Sequence, residues 1–354
     1  MKILIDDGLS TIGKLTGIGY QAYNLFLSLK KISDCDITNY DYLKRFPKYF
    51  RRLLYILHSN FSLTRSDYDV IHYQNYYVPF LKGKAKRVVT IHDLATFKYP
   101  ETMSSFYVWY NRYSIKKAIR NSDCIITPSQ SIKDEILEMF SNVKEKKICV
   151  CEDGIRDVFL RANEGKRNLD KFGASPFSYL FFLGSLSPRK NLRFVLDAFI
   201  EAKEKGCLKK GTKLLLGGQF WWGSSDIKHL IRKDMGIVAL GYIDDEEIVT
   251  LYKNCKAFIF PSLYEGFGMP IIEAMSQRIP IIISNIPTST ELNNNHNRQM
   301  FIFELGKKEQ LITHLKKLDE DCENVGNKID YGDLSRYYFD NIARKHLSIY
   351  KSLV

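Results

Sequence analysis

Residues 257–284 read AFIFPSLYEGFGMPIIEAMSQRIPIIIS and contain the clearest fold pattern of the chain. The apolar run Ala257–Phe260 stops at Pro261, and a short polar loop with two glycines follows it. The loop leads into an apolar helical segment, Met269–Ser276, and then into a second apolar run, Ile279–Ser284. The order strand, glycine loop, helix, strand predicts a βαβ unit of an α/β domain.

Two carboxylates frame this loop, with Glu265 before the glycines and Glu273 inside the helix. Glycine at 266 and 268 lets the backbone approach a ligand closely, and the start of the helix favours an anion such as a diphosphate. Because carboxylates cannot hold a phosphate, we expect them to accept hydrogen bonds from sugar or ribose hydroxyls. Glycine loops also precede many ordinary helices, so spacing alone leaves a nucleotide-sugar site and a plain turn equally open.

The segment EGFGMPIIE, with seven residues between Glu265 and Glu273, resembles the E-x7-E signature of family-4 retaining glycosyltransferases. The resemblance implies the GT-B fold, in which two Rossmann-like α/β domains face each other across a cleft. It implies that Glu265 binds the donor sugar and Glu273 the ribose. The residues between them that it places at the donor are Gly266, Phe267, Gly268 and Met269.

The length of 354 residues exceeds what one hydrophobic core usually serves, so two domains are expected. We predict an acceptor domain over residues 1–165 and a nucleotide-sugar domain over residues 166–332. A helix over residues 333–354 is expected to return to the first domain. The 45% hydrophobic and 26% charged residues are typical of a soluble globular protein.

No apolar run approaches the roughly 20 residues that a membrane span needs. The seven cysteines are scattered and lack C-x-x-C spacing, so they indicate neither a zinc site nor a disulfide framework. These features favour a cytoplasmic protein.

The net charge of +12 indicates acidic partners. The basic aromatic segment 44–61 is a candidate contact with the anionic inner face of the cytoplasmic membrane. A core helix with a charged edge explains that segment equally well.

The N-terminal half starts with a strand, Lys2–Asp6, and a glycine-bearing loop, Gly8–Gly19. Thr16 to Tyr20 resembles the family's T-G-I-G-R-Y turn without its arginine. This implies that Gly17 and Gly19 approach the donor through the backbone, although a plain tight turn stays open. His92-Asp93-Leu94 resembles the family's HDL element and implies that His92 faces the donor sugar. His72, which has no such context, is expected to be a core histidine.

In the second half, residues 184–192 read GSLSPRKNL and resemble the family's G-x-x-x-x-R/P-K-N-L motif. Arg189 and Lys190 are therefore expected to neutralise the leaving diphosphate, with Ser185 beside it. Tyr242 and Ile243 resemble the turn in which family members read the nucleotide base. The catalytic residues implied by the resemblance are His92, Arg189, Lys190 and Glu265.

Two D-x-D sequences, at 67–69 and 319–321, do not lie in the strand-loop context of a Mg²⁺-diphosphate site, so no metal site is expected. No nucleic-acid-binding pattern is present. The resemblance implies transfer of a hexose from a nucleotide-diphospho-sugar to a saccharide or lipid-linked saccharide, with retention and without a cofactor. GDP-mannose is the favoured donor because of the overall similarity to bacterial polysaccharide mannosyltransferases. A nucleotide-sugar epimerase and a catalytically silent nucleotide-sugar-binding protein remain alternatives.

Overall fold

The computed structural model describes residues 1–6, 17–39, 55, 57–161, 169–221, 223, 225–320 and 329–354. These residues divide into two compact units. The first unit comprises Met1–Pro100, Ser104–Gly154 and Ser335–Val354, and the second comprises Glu101–Met103 and Ile155–Leu334.

Each unit contains a six-stranded sheet in which all neighbouring strands are parallel. The first sheet has the order β2-β1-β3-β4-β5-β6, and the second has the order β12-β11-β10-β7-β8-β9. The strands are β1 (Lys2–Asp6), β2 (Asp36–Asn39), β3 (Val70–Tyr73), β4 (Lys86–Thr90), β5 (Cys124–Thr127), β6 (Ile148–Val150), β7 (Tyr179–Leu183), β8 (Lys213–Gly217), β9 (Ile237–Gly241), β10 (Ala257–Phe260), β11 (Ile281–Ser284) and β12 (Phe301–Phe303).

Helices connect the strands, as parallel pairing requires. The helices of the described residues are α1 (Gly17–Ile32), α2 (Ala95–Lys98), α3 (Ser105–Asn121), α4 (Gln130–Met139), α5 (Asp157–Leu160), α6 (Leu192–Glu204), α7 (Asp245–Asn254), α8 (Met269–Ser276), α9 (Pro287–Asn295), α10 (Lys308–Glu320) and α11 (Phe339–Leu353). None of them is long and apolar enough to cross a membrane.

The central strands are buried on both faces and therefore read as continuous apolar runs. Every residue of β10 is buried, as is every residue of β11. Helix α4 begins with a side-chain cap, in which the Ser129 hydroxyl accepts a hydrogen bond from the Ile132 amide (3.3 Å). The predicted βαβ unit is confirmed, with β10 and α8 at the predicted bounds and β11 beginning two residues later, at Ile281.

The predicted N-terminal loop is wrong at its end, because α1 begins at Gly17 and includes Gly19. The boundary between the units lies at Gly154 and Ile155, upstream of the predicted boundary at 165/166. At the C-terminus, residues 333–338 precede the helix rather than belonging to it. Residues 44–54 and 56 of the predicted membrane segment lie outside the described residues.

The C-terminal helix α11 belongs to the first unit, where it packs against α1. Ile342 and Tyr350 share a buried core with Leu25 and Leu29. His72 lies in the same region and is fully buried, as predicted. Its two ring nitrogens lie 2.6 Å from the Tyr350 hydroxyl and 2.7 Å from the Thr90 hydroxyl, so the imidazole is satisfied inside the unit.

Candidate functional site

The candidate site lies in the second unit, at the carboxyl edge of its parallel sheet. Strands β7 and β10 are neighbours, and the chain continues outward in opposite directions from them, through β8 and β9 on one side and β11 and β12 on the other. Ligands of open α/β sheets bind at such a switch point, outside the carboxyl ends of the strands. The loops that follow β7, β8, β9 and β10 therefore open onto one edge of the sheet.

After β7 the chain makes a short 3₁₀ turn, Pro188–Lys190, and then begins α6. Asn191 joins the two in the left-handed conformation, with φ of 53°. Asparagine tolerates this conformation better than most residues. The turn brings Arg189 and Lys190 to the start of the helix, while Ser185 remains exposed in the preceding loop.

Arg189 and Lys190 converge on Glu265, which follows β10. Lys190 Nζ lies 2.6 Å from Glu265 Oε1, and Arg189 Nη1 lies 3.2 Å from Glu265 Oε2. Arg189 Nη1 also donates to the backbone carbonyl oxygen of Tyr264 (2.5 Å). Three of the four predicted catalytic residues thus form one largely buried cluster of two cations and one anion.

Burial alone would raise the pKa of Glu265, but Lys190 and Arg189 outweigh it and lower the pKa from 4.5 to about 2. The carboxylate is therefore charged at neutral pH. Its ion pairs contribute stability that is fully present above its ordinary pKa and is lost as the pH falls towards the folded-state pKa.

We expect the difference in free energy of unfolding between the wild type and Glu265→Gln to be largest near neutral pH. It should shrink as the pH falls from about 5 towards about 2, because Glu265 is protonated first in the unfolded state and, near its folded-state pKa of about 2, in the folded state as well, where it carries the same charge as glutamine. Urea denaturation at several pH values measures this difference. Glu320→Gln, at an exposed carboxylate, is the control. A difference for Glu265→Gln that stays constant over this range would contradict the assignment.

The loop after β8 holds a residue that sequence reasoning missed, Gly218. A Cβ atom on Gly218 would lie 1.8 Å from the carbonyl oxygen of Gly184, and φ is +129° at this position. Only glycine fits both restraints. The Gly184 amide also donates to the carbonyl oxygen of Gly217 (3.0 Å), so the two loops are tied together beside the site. The Gly217-Gly218 pair at the end of a predicted strand was the available signal.

Tyr242 and Ile243 follow β9, after Gly241 with its positive φ of 71°. Tyr242 is 61% exposed, whereas Ile243 is buried. If Gly217 carried a Cβ atom, that atom would lie only 2.8 Å from Ile243 Cδ1. The backbone at this turn is therefore fixed by packing. Its predicted role in contacting the nucleotide base stays a prediction.

Helix α8 begins after Gly268, which has φ of 115°. A Cβ atom there would be strained in conformation and would contact Ile271 and Leu292 at 3.1 and 3.3 Å. Phe267 is buried, and Gly266 is buried beside it. The helix starts at Met269, so its positive dipole end points towards the edge of the sheet where Glu265 lies.

Glu273 is buried in α8 and is paired with a residue that sequence reasoning also missed, Arg156. Arg156 Nε lies 2.6 Å from Glu273 Oε1, and Arg156 Nη2 lies 3.1 Å from Oε2. The same guanidinium bonds Asp245 and lies over the Phe159 ring at 4.8 Å. Burial raises the pKa of Glu273, whereas Arg156 lowers it. This bidentate pair fixes the orientation of the carboxylate. No local pattern in the sequence marks Arg156, because its partner lies 117 positions further along the chain.

The other predicted site residues lie in the first unit. His92 is 9% exposed, and its Nε2 donates to the backbone carbonyl oxygen of Gln74 (2.9 Å). Gly17 and Gly19 lie in the first turn of α1. Two residues further on, the Gln21 amide exchanges two hydrogen bonds of 2.8 Å with the backbone of Gly154.

The two D-x-D sequences have structural partners. Asp67 forms an exposed ion pair with Lys2, whereas Asp319 forms a buried ion pair with Lys256. Within the described ranges, no group of three His, Cys, Asp or Glu side chains has the arrangement of a metal site.

Comparison with known proteins adds two family matches. Residues 30–157 match the model described as Glycosyltransferase Family 4, and residues 168–332 match the one described as Glycosyl transferases group 1. The chain is 29% identical over 227 residues to O-antigen chain mannosyltransferase B of Escherichia coli, covering 63% of this chain and 58% of the relative. It is 25% identical over 269 residues to O-antigen chain mannosyltransferase RfbU of Salmonella typhimurium, covering 75% and 69%. The chain thus spans less than two thirds of the length of the first relative.

Among solved structures, Anabaena HepE in complex with UDP and glucose matches with a TM-score of 0.72 at 17% identity. The match covers 99% of this chain and 100% of that chain. At this identity the likeness concerns the fold, and it agrees with two units that each hold a parallel six-stranded sheet. The chain belongs to the family-4 glycosyltransferases of the GT-B fold.

Proposed function

We propose that the chain transfers a hexose from a nucleotide-diphospho-sugar to a saccharide or lipid-linked saccharide acceptor during synthesis of a surface polysaccharide. The observation that carries the proposal is the cluster of Arg189, Lys190 and Glu265 at the carboxyl ends of β7 and β10, beside the start of α8. Two cations and a helix N-terminus suit a diphosphate, and a buried carboxylate suits the hydroxyls of a sugar. We assign the second unit to the donor and the first unit to the acceptor.

In the proposed reaction, Arg189 and Lys190 stabilise the negative charge that develops on the leaving diphosphate. Glu265 accepts hydrogen bonds from the donor sugar, and Glu273, held by Arg156, accepts them from the ribose. His92 helps to set the geometry of donor and acceptor. Transfer retains the configuration at the anomeric carbon, and the leaving phosphate assists deprotonation of the acceptor hydroxyl on the same face. With two protein cations in this role, the reaction is proposed to need no metal ion.

GDP-mannose is the proposed donor, because the two O-antigen relatives described above are named mannosyltransferases. The solved structure that resembles the chain holds UDP and glucose, which makes a UDP-sugar the first alternative. The fold does not distinguish them, since substrates are recognised by individual side chains in the site.

A thermal-shift panel of GDP-, UDP- and dTDP-sugars, with their free nucleotides, tests the donor class. We expect the melting temperature to rise with one nucleotide class, because a ligand that binds only the folded state stabilises it. The rise should persist in EDTA and should be lost in Lys190→Ala.

The panel, together with analysis of the products formed with and without an acceptor, separates the proposed transfer from its alternatives. If no nucleotide changed the melting temperature, a functional donor site would be contradicted. If a nucleotide-sugar were bound and converted to an isomer without any acceptor, an epimerase would replace the transferase. Binding without turnover on any acceptor would favour the silent binding protein.

A further inference from the structure

Helix α3 (Ser105–Asn121) of the first unit presents a row of exposed side chains to solvent. The members of this row are three or four residues apart in the sequence, which places them on one face of the helix. Its members, here called the α3 stripe, are Phe106, Trp109, Tyr113, Lys116 and Arg120. Three aromatic residues thus occupy its first half and two cations its second half.

The aromatic part of the α3 stripe is unusually open to solvent. Phe106 is 69% exposed, Trp109 is 64% exposed and Tyr113 is 49% exposed. The ring centroids of Trp109 and Tyr113 lie 6.4 Å apart with nearly parallel planes, and those of Phe106 and Trp109 lie 6.2 Å apart. The three rings form one continuous apolar surface. Such a surface on a soluble unit marks an interaction site.

The buried face of α3 is only partly apolar. It includes Asn111, Ser114 and Lys117 next to its aliphatic residues. Lys117 Nζ lies 3.0 Å from the centroid of the Phe80 ring, and burial, together with Arg87 and Arg120, lowers its pKa to about 8. A surface helix normally turns its aromatic residues towards the core and its lysines towards water. The outward aromatic face of α3 is therefore not needed to hold the helix on its own unit.

The charge of α3 identifies the partner that fits this face. The helix contains four cations, Arg112, Lys116, Lys117 and Arg120, and no acidic residue. Arg112 and Lys116 line a groove of about 500 Å³ together with Trp109 and Tyr113. Tryptophan and tyrosine prefer the interface between water and hydrocarbon, and each surface lysine or arginine gains about 1 kcal/mol beside anionic headgroups.

We propose that the α3 stripe is a docking surface for a lipid bilayer that contains anionic headgroups. Phe106, Trp109 and Tyr113 enter the headgroup region, while Lys116 and Arg120 pair with lipid phosphates. The helix then lies in the plane of the interface along a stripe about 21 Å long, at 1.5 Å per residue. The proposal is independent of the proposed transfer reaction, because binding to a bilayer requires neither donor nor acceptor.

The three tryptophans of the chain, at 109, 221 and 222, allow a direct test. The double variant Trp221→Phe/Trp222→Phe keeps only Trp109, and Trp109→Phe keeps only the other two. Both are mixed with phosphatidylcholine vesicles that contain about 30% phosphatidylglycerol and brominated acyl chains, which quench only inserted tryptophan. We expect quenching in the first variant and none in the second. Binding with quenching only at 221 and 222, or no binding of the wild type, would overturn the proposal.

Two double charge-reversal variants distinguish the effect of the cations on α3 from the effect of the protein's total charge on vesicle binding. Lys116→Glu/Arg120→Glu should weaken partition onto these vesicles at least about tenfold, because each cation contributes about 1 kcal/mol. Lys228→Glu/Lys233→Glu changes the net charge equally at exposed positions of the second unit and should bind almost as the wild type does. Equal weakening by both pairs would overturn docking through α3. Lys190→Ala should keep full vesicle binding, so failure of the transferase assignment would be seen separately.

Discussion

Lys190→Ala is expected to lower turnover about 30-fold to nearly 1000-fold, a loss of about 2 to 4 kcal/mol of transition-state stabilisation. Lys190 Nζ lies 2.6 Å from Glu265 Oε1 and 5.2 Å from the Phe260 ring centroid, on the floor of the candidate donor site. A cation held there in advance can stabilise charge that develops on a leaving diphosphate without reorganisation. We therefore expect kcat to fall more than the donor KM rises.

Steady-state kinetics with the donor selected by the thermal-shift panel measure this effect. Lys190→Met removes the charge but keeps most of the apolar stem against Phe260. It should lose as much activity as Lys190→Ala, which would attribute the loss to the charge and not to the packing. Arg193→Ala removes an exposed cation from the first turn of α6, three residues further on, and should stay within about twofold of the wild type. Melting curves show whether each variant is folded. Turnover of folded Lys190→Ala within about twofold of the wild type would contradict the role proposed for Lys190.

Asp319→Ala is expected to destabilise the protein by about 3 to 5 kcal/mol, because it leaves the charge of Lys256 buried without its partner. The two side chains are 3% and 6% exposed. Asp319 also accepts hydrogen bonds from the Thr212 hydroxyl (2.5 Å) and the Lys209 amide (2.6 Å). One carboxylate thus joins the end of α10 to the residues that precede β8 and β10.

Denaturant unfolding of Asp319→Ala measures this loss, with Glu320→Ala at the adjacent exposed carboxylate as the control. The control should change the free energy of unfolding by no more than about 0.5 kcal/mol. Combining Asp319→Leu with Lys256→Met should recover part of the loss, because no charge then remains buried. Asp319→Ala with a loss below about 1 kcal/mol would show that Lys256 reaches water or another partner. The pair lies at the amino ends of the strands, so donor binding by the folded fraction should be unchanged.

Local sequence patterns were sufficient to predict the central part of the fold and the loops of its candidate site. Strands buried on both faces are apolar throughout, so β10 was recognised without any tertiary information. Glycine, proline and helix-start signals located the loops in which Arg189, Lys190 and Glu265 lie. Strands β2 and β12 were not predicted: β2 has one apolar residue among its four, and β12 is only three residues long.

Contacts between residues that are far apart in the chain became evident only in the folded protein. Arg156 pairs with Glu273 across 117 positions, and Lys256 pairs with Asp319 across 63. No local pattern encodes such contacts, because a charged residue looks the same in sequence whether it meets water or a buried partner. The outward aromatic face of α3 is a second example: helical periodicity places Phe106, Trp109 and Tyr113 on one face, but only packing decides that this face points to solvent.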